Sequence, residues 1–253
     1  MNRLMKRFLA LMALAAFLCL PITSQGVELV ATHPLDPELF TQGLEMVDGR
    51  LMLSSGLYGH SKIGELDLES GQLVDARHLP DELFAEGITA TEEGLWLLSW
   101  QEGEARLLDR DSLEMVRSVR YEGEGWGICF DGDTLFMSDG TFWLSRRDPV
   151  TFALLGHVMV SHEGEPIWRI NELEYANGYI YANVWLTDNI LKIDPETGNV
   201  LDVIDMSLLR DSLQEELGTE DSDAVLNGIA HLEGNRFYVT GKRWPKIFEV
   251  ILP

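Results

Sequence analysis

Gln42, Glu86, Trp126, Glu172 and Asn227 are an amide, two carboxylates, an indole and a second amide, and they stand at one position of a recurring unit. Each opens a short apolar run: Gln42-Gly43-Leu44, Glu86-Gly87-Ile88, Trp126-Gly127-Ile128, Glu172-Leu173-Glu174 and Asn227-Gly228-Ile229. A position that served only the scaffold would carry one kind of residue throughout, so polar diversity inside a regular repeat marks a place where local rules yield to function. Thirteen to fifteen residues further on come Ser55, Trp100, Asp139, Trp185 and Lys242. Three indoles, Trp100, Trp126 and Trp185, are thereby expected at one mouth with Glu86 and Glu172 close by. That is the composition of an apolar pocket with a few directed polar groups, as small-ligand sites have. The plainer reading of the same set is a water-filled channel lined by indifferent polar groups. Trp96, in the middle of an apolar run, reads as core packing.

The elements that must position these residues follow from the rest of the unit. After each start comes a turn glycine, at Gly49, Gly94, Gly132, Gly178 and Gly234. Second strands follow, Leu51-Met52-Leu53, Trp96-Leu97-Leu98, Leu135-Phe136-Met137, Tyr179-Ile180-Tyr181 and Phe237-Tyr238-Val239, rich in the aromatic and apolar residues that suit strands. Third strands end at Asp67, Asp109, Asp148, Asp194 and Glu249; Asp148-Pro149 and Asp194-Pro195 are turn sequences, because Asp bonds its own backbone and Pro fixes φ. Repeats of ~40–45 residues with four strands are propeller blades. The spacing therefore predicts an all-β, five-bladed propeller. One longer interval contains Ser207 to Leu217, which reads as an amphipathic helical insertion stopped by Gly218. The fifth unit ends after its third strand, at Lys246–Leu252, while an extra strand, Val27–Ala31, precedes the first unit. That strand is expected to complete the last blade, close the ring and remove an exposed edge.

Arg3, Lys6 and Arg7, the apolar run Phe8–Leu20 and the small or polar run Thr23–Gly26 have the form of an export signal. The apolar run is too short for a membrane span, which takes roughly 20 residues. Residues 1–26 are thus expected to be cleaved, leaving 27–253 as one domain, exported to the periplasm or secreted, without membrane attachment. Loss of the three cations moves the formal charge from -23 to -26. So acidic a surface repels phosphate backbones and excludes nucleic acid as a partner. Of two cysteines only Cys129 remains, in the apolar run Gly127–Phe130, so no intrachain disulfide forms and the thiol reads as buried and inert. The six histidines show no metal-ligand spacing, and Asp131-Gly132-Asp133 and Glu220-Asp221-Ser222-Asp223 lack an EF-hand pattern. No metal or cofactor is expected.

At these residues the chain resembles the plant and bacterial glutaminyl cyclases (glutamine cyclotransferases) over nearly its whole mature length. The resemblance rests on Phe40–Leu44, Phe84–Thr89, Glu124–Gly127, Ser138–Thr141, Asn171–Tyr175, Ala182–Trp185, Val225–Ala230 and Thr240–Pro245, all in order. Ala85 departs from the family's usual Gly, and Ser99-Trp100-Gln101 from its usual Thr-Trp-Lys. The resemblance implies a five-bladed propeller and metal-independent conversion of the N-terminal glutamine of peptides or proteins to pyroglutamate, with release of ammonia. It places the catalytic acid on Glu86, implicates Gln42, Asn171, Lys242, Trp126 and Trp185 in the pocket, and makes Phe40 and Phe84 apolar walls. Trp100 and Glu172 join the substrate site by repeat position alone. A monomer is expected, since the paired chain ends need no partner. Two other readings are a metal-dependent propeller lactonase or esterase, drawing on Glu86, Glu172 and Asn227, and a non-catalytic peptide-binding propeller.

Overall fold

A computed structural model describes residues 26–217 and 222–253; the expected export signal, apart from Gly26, and the predicted helix stop at Gly218 lie outside them. Five four-stranded antiparallel sheets are arranged as the blades of a propeller. Their innermost strands are Thr41–Val47, Ala85–Thr91, Ile128–Phe130, Ile170–Ala176 and Leu226–Glu233. The last blade takes its outer strand, Glu28–Pro34, from the start of the described chain, paired with Lys246–Ile251 from the end. That is the closure expected from the missing and the extra strand. The helical insertion is two short turns, Ser207–Asp211 and Gln214–Leu217, with Leu209 and Leu213 buried.

Hairpin chemistry is visible where the repeat placed its turn glycines. Asp48-Gly49 and Asn177-Gly178 both have positive φ at both residues (51° and 81°, 55° and 86°), the pattern of a two-residue turn matched to strand twist. The core lies between neighbouring blades. Val47, Met52 and Ile63 of the first blade pack with Ile88, Leu95 and Leu97 of the second. Trp96 is fully buried against Phe152 and donates its indole N–H to Pro149 O at 3.0 Å. Cys129 is buried, and burial pushes its thiol well above the usual range, so it stays protonated.

Inner strands meet almost backbone to backbone. A Cβ on Gly43 would lie 2.6 Å from Ile88 N, and one on Gly87 2.8 Å from Trp126 O. Only glycine permits that approach. Side-chain hydroxyls tie the same seams: Ser54 donates to Glu86 O and Ser138 to Asn171 O, both at 2.6 Å. The ring of inner strands is therefore held rigidly near its axis, where the polar residues converge.

Strand register corrects one part of the repeat. Leu44 pairs with Leu53, Ile88 with Leu97, Ile128 with Met137, Leu173 with Ala182 and Ile229 with Val239. Asn171, not Glu172, is thus the fourth-blade counterpart of Gln42, Glu86, Trp126 and Asn227. Glu172 takes the position that is glycine in the other four blades. Its carboxylate accepts the N–H of Leu44 at 3.3 Å and of Ile229 at 2.9 Å, bonding inner strands of the first and fifth blades. In the second strands Gly56, Trp100, Trp185 and Lys242 correspond, each amide bonding a carbonyl at the entry to its own blade; Ser55 and Asp139 are one residue out of step. A Cβ on Gly56 would strike the Phe84 ring, so the first blade gives up a side chain there to seat a neighbouring aromatic.

Further along the inner strands sit two more carboxyls. Glu45 accepts from the Thr89 side chain and the Ala90 N–H; burial nevertheless pushes it up to about 8, although part of the residue remains exposed. Glu174, buried with Oε2 unbonded among the described residues, is held well above the ordinary range by burial and by the charges of Glu45 and Glu172. Burial likewise raises Glu86 and Glu172. The folded chain keeps these protons at pH values where the unfolded chain has released them. Their contribution to stability is therefore full near the ordinary carboxylate value and is lost as pH rises through the folded values. Thermal unfolding should show a midpoint that falls from about pH 5 to about pH 8, and a flatter fall in Glu45→Gln and Glu174→Gln. A midpoint that rises over that interval in the parent chain, or equal slopes in the variants, would contradict the assignment.

Candidate active site

The cavity lies at the end of the ring where the inner strands begin. It has a volume of about 260 Å³ and is lined by Phe40, Gln42, Leu57, Phe84, Glu86, Trp100, Trp126, Asn171, Trp185, Asp223 and Lys242. Nine of the ten residues expected at a site are in this lining: Gln42, Glu86, Asn171, Lys242, Phe40, Phe84, Trp100, Trp126 and Trp185. Glu172 is not brought there. A residue at the glycine position faces the neighbouring strands, and both its carboxylate oxygens are committed to backbone N–H groups.

Three parts of the blades build the cup. Each inner strand except the third has a register shift at its start, between Thr41 and Gly43, Ala85 and Ile88, Ile170 and Leu173, and Leu226 and Ile229. Such bulges re-aim side chains, and here the first residue inside each is Gln42, Glu86, Asn171 or Asn227. The chain just before the first two inner strands supplies Phe40 and Phe84, whose rings meet edge to face at 6.4 Å. The ends of the second strands supply Trp100, Trp185 and Lys242. Phe84 continues edge to face onto Trp100 at 5.4 Å, and Trp126 onto Trp185 at 5.6 Å and 87°. A Cβ on Gly140 would lie 2.6 Å from the Trp126 ring, so this glycine leaves room for the indole.

Polar groups enter this apolar cup singly. Glu86 is only 5% exposed, and its carboxyl is held well above the ordinary range. Burial is the main cause; the charges of Glu124 and Glu102 add to it and the Lys242 ammonium opposes it. Lys242 is also buried, and burial lowers it while Glu86 and Asp223 hold it up. Its Nζ sits 5.0 Å from the Phe40 ring centre, a cation facing an aromatic ring. Asn227 donates from Nδ2 to Thr41 O at 3.0 Å and to Gln42 Oε1 at 3.4 Å. The Gln42 amide is thereby anchored through its oxygen, which leaves its NH₂ as the donor end of the group. Asn171 is buried, and its Oδ1 has no hydrogen-bond partner among the described residues. A carboxyl biased by burial toward its protonated form, an ammonium and two amides in a cup of five aromatic rings can take a small polar group, move a proton and steady a developing negative charge.

Three residues of the site escaped the repeat. Leu57 and Asp223 lie in connections, where no periodicity speaks for them. Glu124 had a signal, as a carboxylate two residues before Trp126 in the stretch Glu124–Gly127. Of the two groups besides Glu86 that a metal-dependent reading would draw on, Glu172 commits both oxygens to the N–H groups of Leu44 and Ile229, while Asn227 commits its Nδ2 to Thr41 and Gln42 and its Oδ1 has no hydrogen-bond partner among the described residues. Among the described residues no group of three His, Cys, Asp or Glu side chains is placed to hold a metal ion.

Comparison with known proteins gives a consistent picture. A family model described as glutamine cyclotransferase matches residues 7–252. A glutaminyl-peptide cyclotransferase of Arabidopsis thaliana is 38% identical over 229 residues, which cover 89% of this chain and 71% of the relative. Among solved structures, the glutaminyl cyclase of Myxococcus xanthus is 41% identical with a TM-score of 0.84, covering 89% of this chain and 96% of that one. A virginiamycin B lyase from Staphylococcus aureus, 15% identical with a TM-score of 0.50 and coverage of 84% and 66%, shares the fold.

Proposed function

Because the chain belongs to the glutamine cyclotransferase family, we propose that its aromatic cup receives the N-terminal glutamine of a peptide and closes it to pyroglutamate with release of ammonia. The protein is a glutaminyl-peptide cyclotransferase of the plant and bacterial type. The observation that carries the mechanism is a buried Glu86, its carboxyl held well above the ordinary range by burial, sharing with Lys242 the lining of a cup of about 260 Å³, enough for one side chain and its α-amine.

Nucleophile and electrophile belong to the same residue, so the first task is to fold it into a near-attack conformer. The rings of Phe40, Phe84, Trp100, Trp126 and Trp185 do so by enclosing the glutamine side chain. The neutral α-amine attacks the side-chain amide carbon, and its oxygen gains negative charge. The Gln42 NH₂, the Asn171 amide and the Lys242 ammonium are the groups that hold this oxygen. Glu86 gives its proton to the departing nitrogen as the old C–N bond breaks. It regains a proton from the attacking nitrogen, so the cycle ends with lactam, ammonia and the original carboxyl. We assign the catalytic role to Glu86, Gln42, Asn171 and Lys242 and substrate enclosure to the five rings. We also propose that the enzyme works as a monomer after export, in the periplasm or the medium, and does not bind nucleic acid.

Purified mature protein should release ammonia from a glutamine-initiated dipeptide, and release should persist in a strong chelator. Its pH profile has two limbs with opposite signs. The rate rises as the substrate amine loses its proton, near a reference pKa of about 7.7–8.0, and falls as Glu86 loses its own. A folded protein that releases no ammonia, or a rate that is flat across the amine's titration, would defeat this reading.

A further inference from the structure

Glu124 grips two walls of the cavity at once. It lies in the connection entering the third blade and is partly buried. Its Oε2 accepts the indole N–H of Trp100 at 2.8 Å and that of Trp126 at 2.9 Å, while Oε1 accepts from Gln101 Nε2 at 3.1 Å. Ring contacts divide the cup into two groups. Phe40, Phe84 and Trp100 form one and Trp126 with Trp185 the other, and among the described residues no ring pair joins Trp100 to Trp126. One carboxylate oxygen makes that join.

We propose that Glu124 is a positioning residue: its carboxylate locks the Trp100 and Trp126 indoles in the orientation that shapes the glutamine-sized cup, and so governs how firmly the substrate's first residue is held. Hydrogen bonds to an ionised acceptor are about twice as strong as neutral ones, and two on the same oxygen fix both ring planes. Without them each indole is free to turn about its side-chain torsions, and a shift of the wall by about 1 Å is enough to spoil a near-attack geometry. Glu124 has a second, electrostatic consequence. The charged groups acting on Glu86 are Lys242, which favours its ionised form, and Glu124 and Glu102, which oppose it. Tyr58, whose hydroxyl donates to Glu102 at 2.7 Å, and Tyr121, whose hydroxyl donates to Ser99 O at 2.5 Å, feel the Glu86 charge but keep their own protons, burial raising both. The Glu124 charge thus helps to keep Glu86 a proton donor. The role in catalysis rests on the cyclotransferase reading; the clamp itself does not.

The test compares Glu124→Ala and Glu124→Gln in the mature chain, with indole N–H resonances followed in tryptophan-labelled protein. Trp100→Phe and Trp126→Phe assign the two signals. Glu124→Ala should shift both signals, speed their exchange with solvent and raise KM for a glutaminyl dipeptide about tenfold or more. Glu124→Gln keeps an acceptor oxygen, so KM should return to within about threefold of the parent value. It also removes a negative charge near Glu86, so its alkaline limb should move to lower pH. Unmoved indole signals in Glu124→Ala, or a Glu124→Gln no better than Glu124→Ala, would overturn the proposal. If Glu124→Ala does not fold, Glu124→Gln decides: unmoved indole signals with an unmoved alkaline limb refute it, and both shifts uphold it. Should the parent chain release no ammonia, the cyclotransferase reading falls, and the indole signals still judge the clamp.

Discussion

Glu86→Gln is expected to lower kcat on a glutaminyl dipeptide by about 10²–10⁴-fold, the usual worth of a positioned acid–base group, with KM within a few-fold of the parent. The carboxamide has the same shape and fills the same place in the cup, so binding survives. It cannot hand a proton to the leaving nitrogen or take one from the amine, so turnover does not. Stability points the other way. A carboxyl that is 5% exposed and held well above its ordinary range is poorly served by the fold once ionised. Replacing it with a neutral isostere removes that penalty, because the fold no longer has to hold a proton that the unfolded chain has already released. The thermal midpoint of Glu86→Gln should therefore equal or exceed that of the parent at neutral pH. Loss of rate with gain of stability is the signature of a group kept for chemistry. A variant that turns over at the parent rate would move the proton transfer elsewhere and leave Glu86 as a polar lining residue.

The architecture was legible because a propeller repeats itself. Apolar second strands and turn glycines recur at blade intervals, and the unpaired strand at each chain end has one place to go. Most of the site was legible for the same reason: equivalent positions converge on the axis, and the resemblance to a known family named the residues there. The misplacement of Glu172 shows where periodicity ran out. In the fourth blade the glycine that marks the register elsewhere is replaced by Glu172, so the repeat slid by one residue. Asn171 is the true counterpart of Glu86, and its carbonyl receives the Ser138 hydroxyl at the blade seam. A separate slip of one residue misaligned Ser55 and Asp139 in the first and third blades, because their neighbours Gly56 and Gly140 carry no side chain and instead make room for the rings of Phe84 and Trp126. Leu57 and Asp223 reach the cavity from connections, where no repeat constrains the chain. Glu124 acts through the Trp100 indole, 24 residues away, a pairing made where the entry to the third blade folds back on the second, Gly125 donating its N–H to Trp100 O.

Lys242→Met should reduce kcat by about 10²–10³-fold, as removal of a donor to a developing oxyanion does, and should move the alkaline limb of the pH profile to higher pH. Met keeps the unbranched apolar stem and packs readily in such a site. What is lost is the charge facing the substrate's amide oxygen. The shift of the limb follows from sign alone: the Lys242 ammonium favours ionised Glu86, so without it Glu86 keeps its proton longer. Stability should hold, since burial favours the neutral form of Glu86 and a neutral partner leaves no bare charge stranded, the circumstance that makes breaking most buried pairs costly. A loss confined to KM would make Lys242 a binding group for the ground-state carbonyl. A limb that moved to lower pH would deny that the two side chains share one field. Glu124→Gln removes charge of the opposite sign from the same neighbourhood and should move the limb in the opposite direction. In the double variant, Lys242→Met with Glu124→Gln, the limb should return toward the parent position while the rate stays low. Protonation of Glu86 would then be balanced again, with the amide oxygen still lacking its cation, which separates the two roles that Lys242 plays.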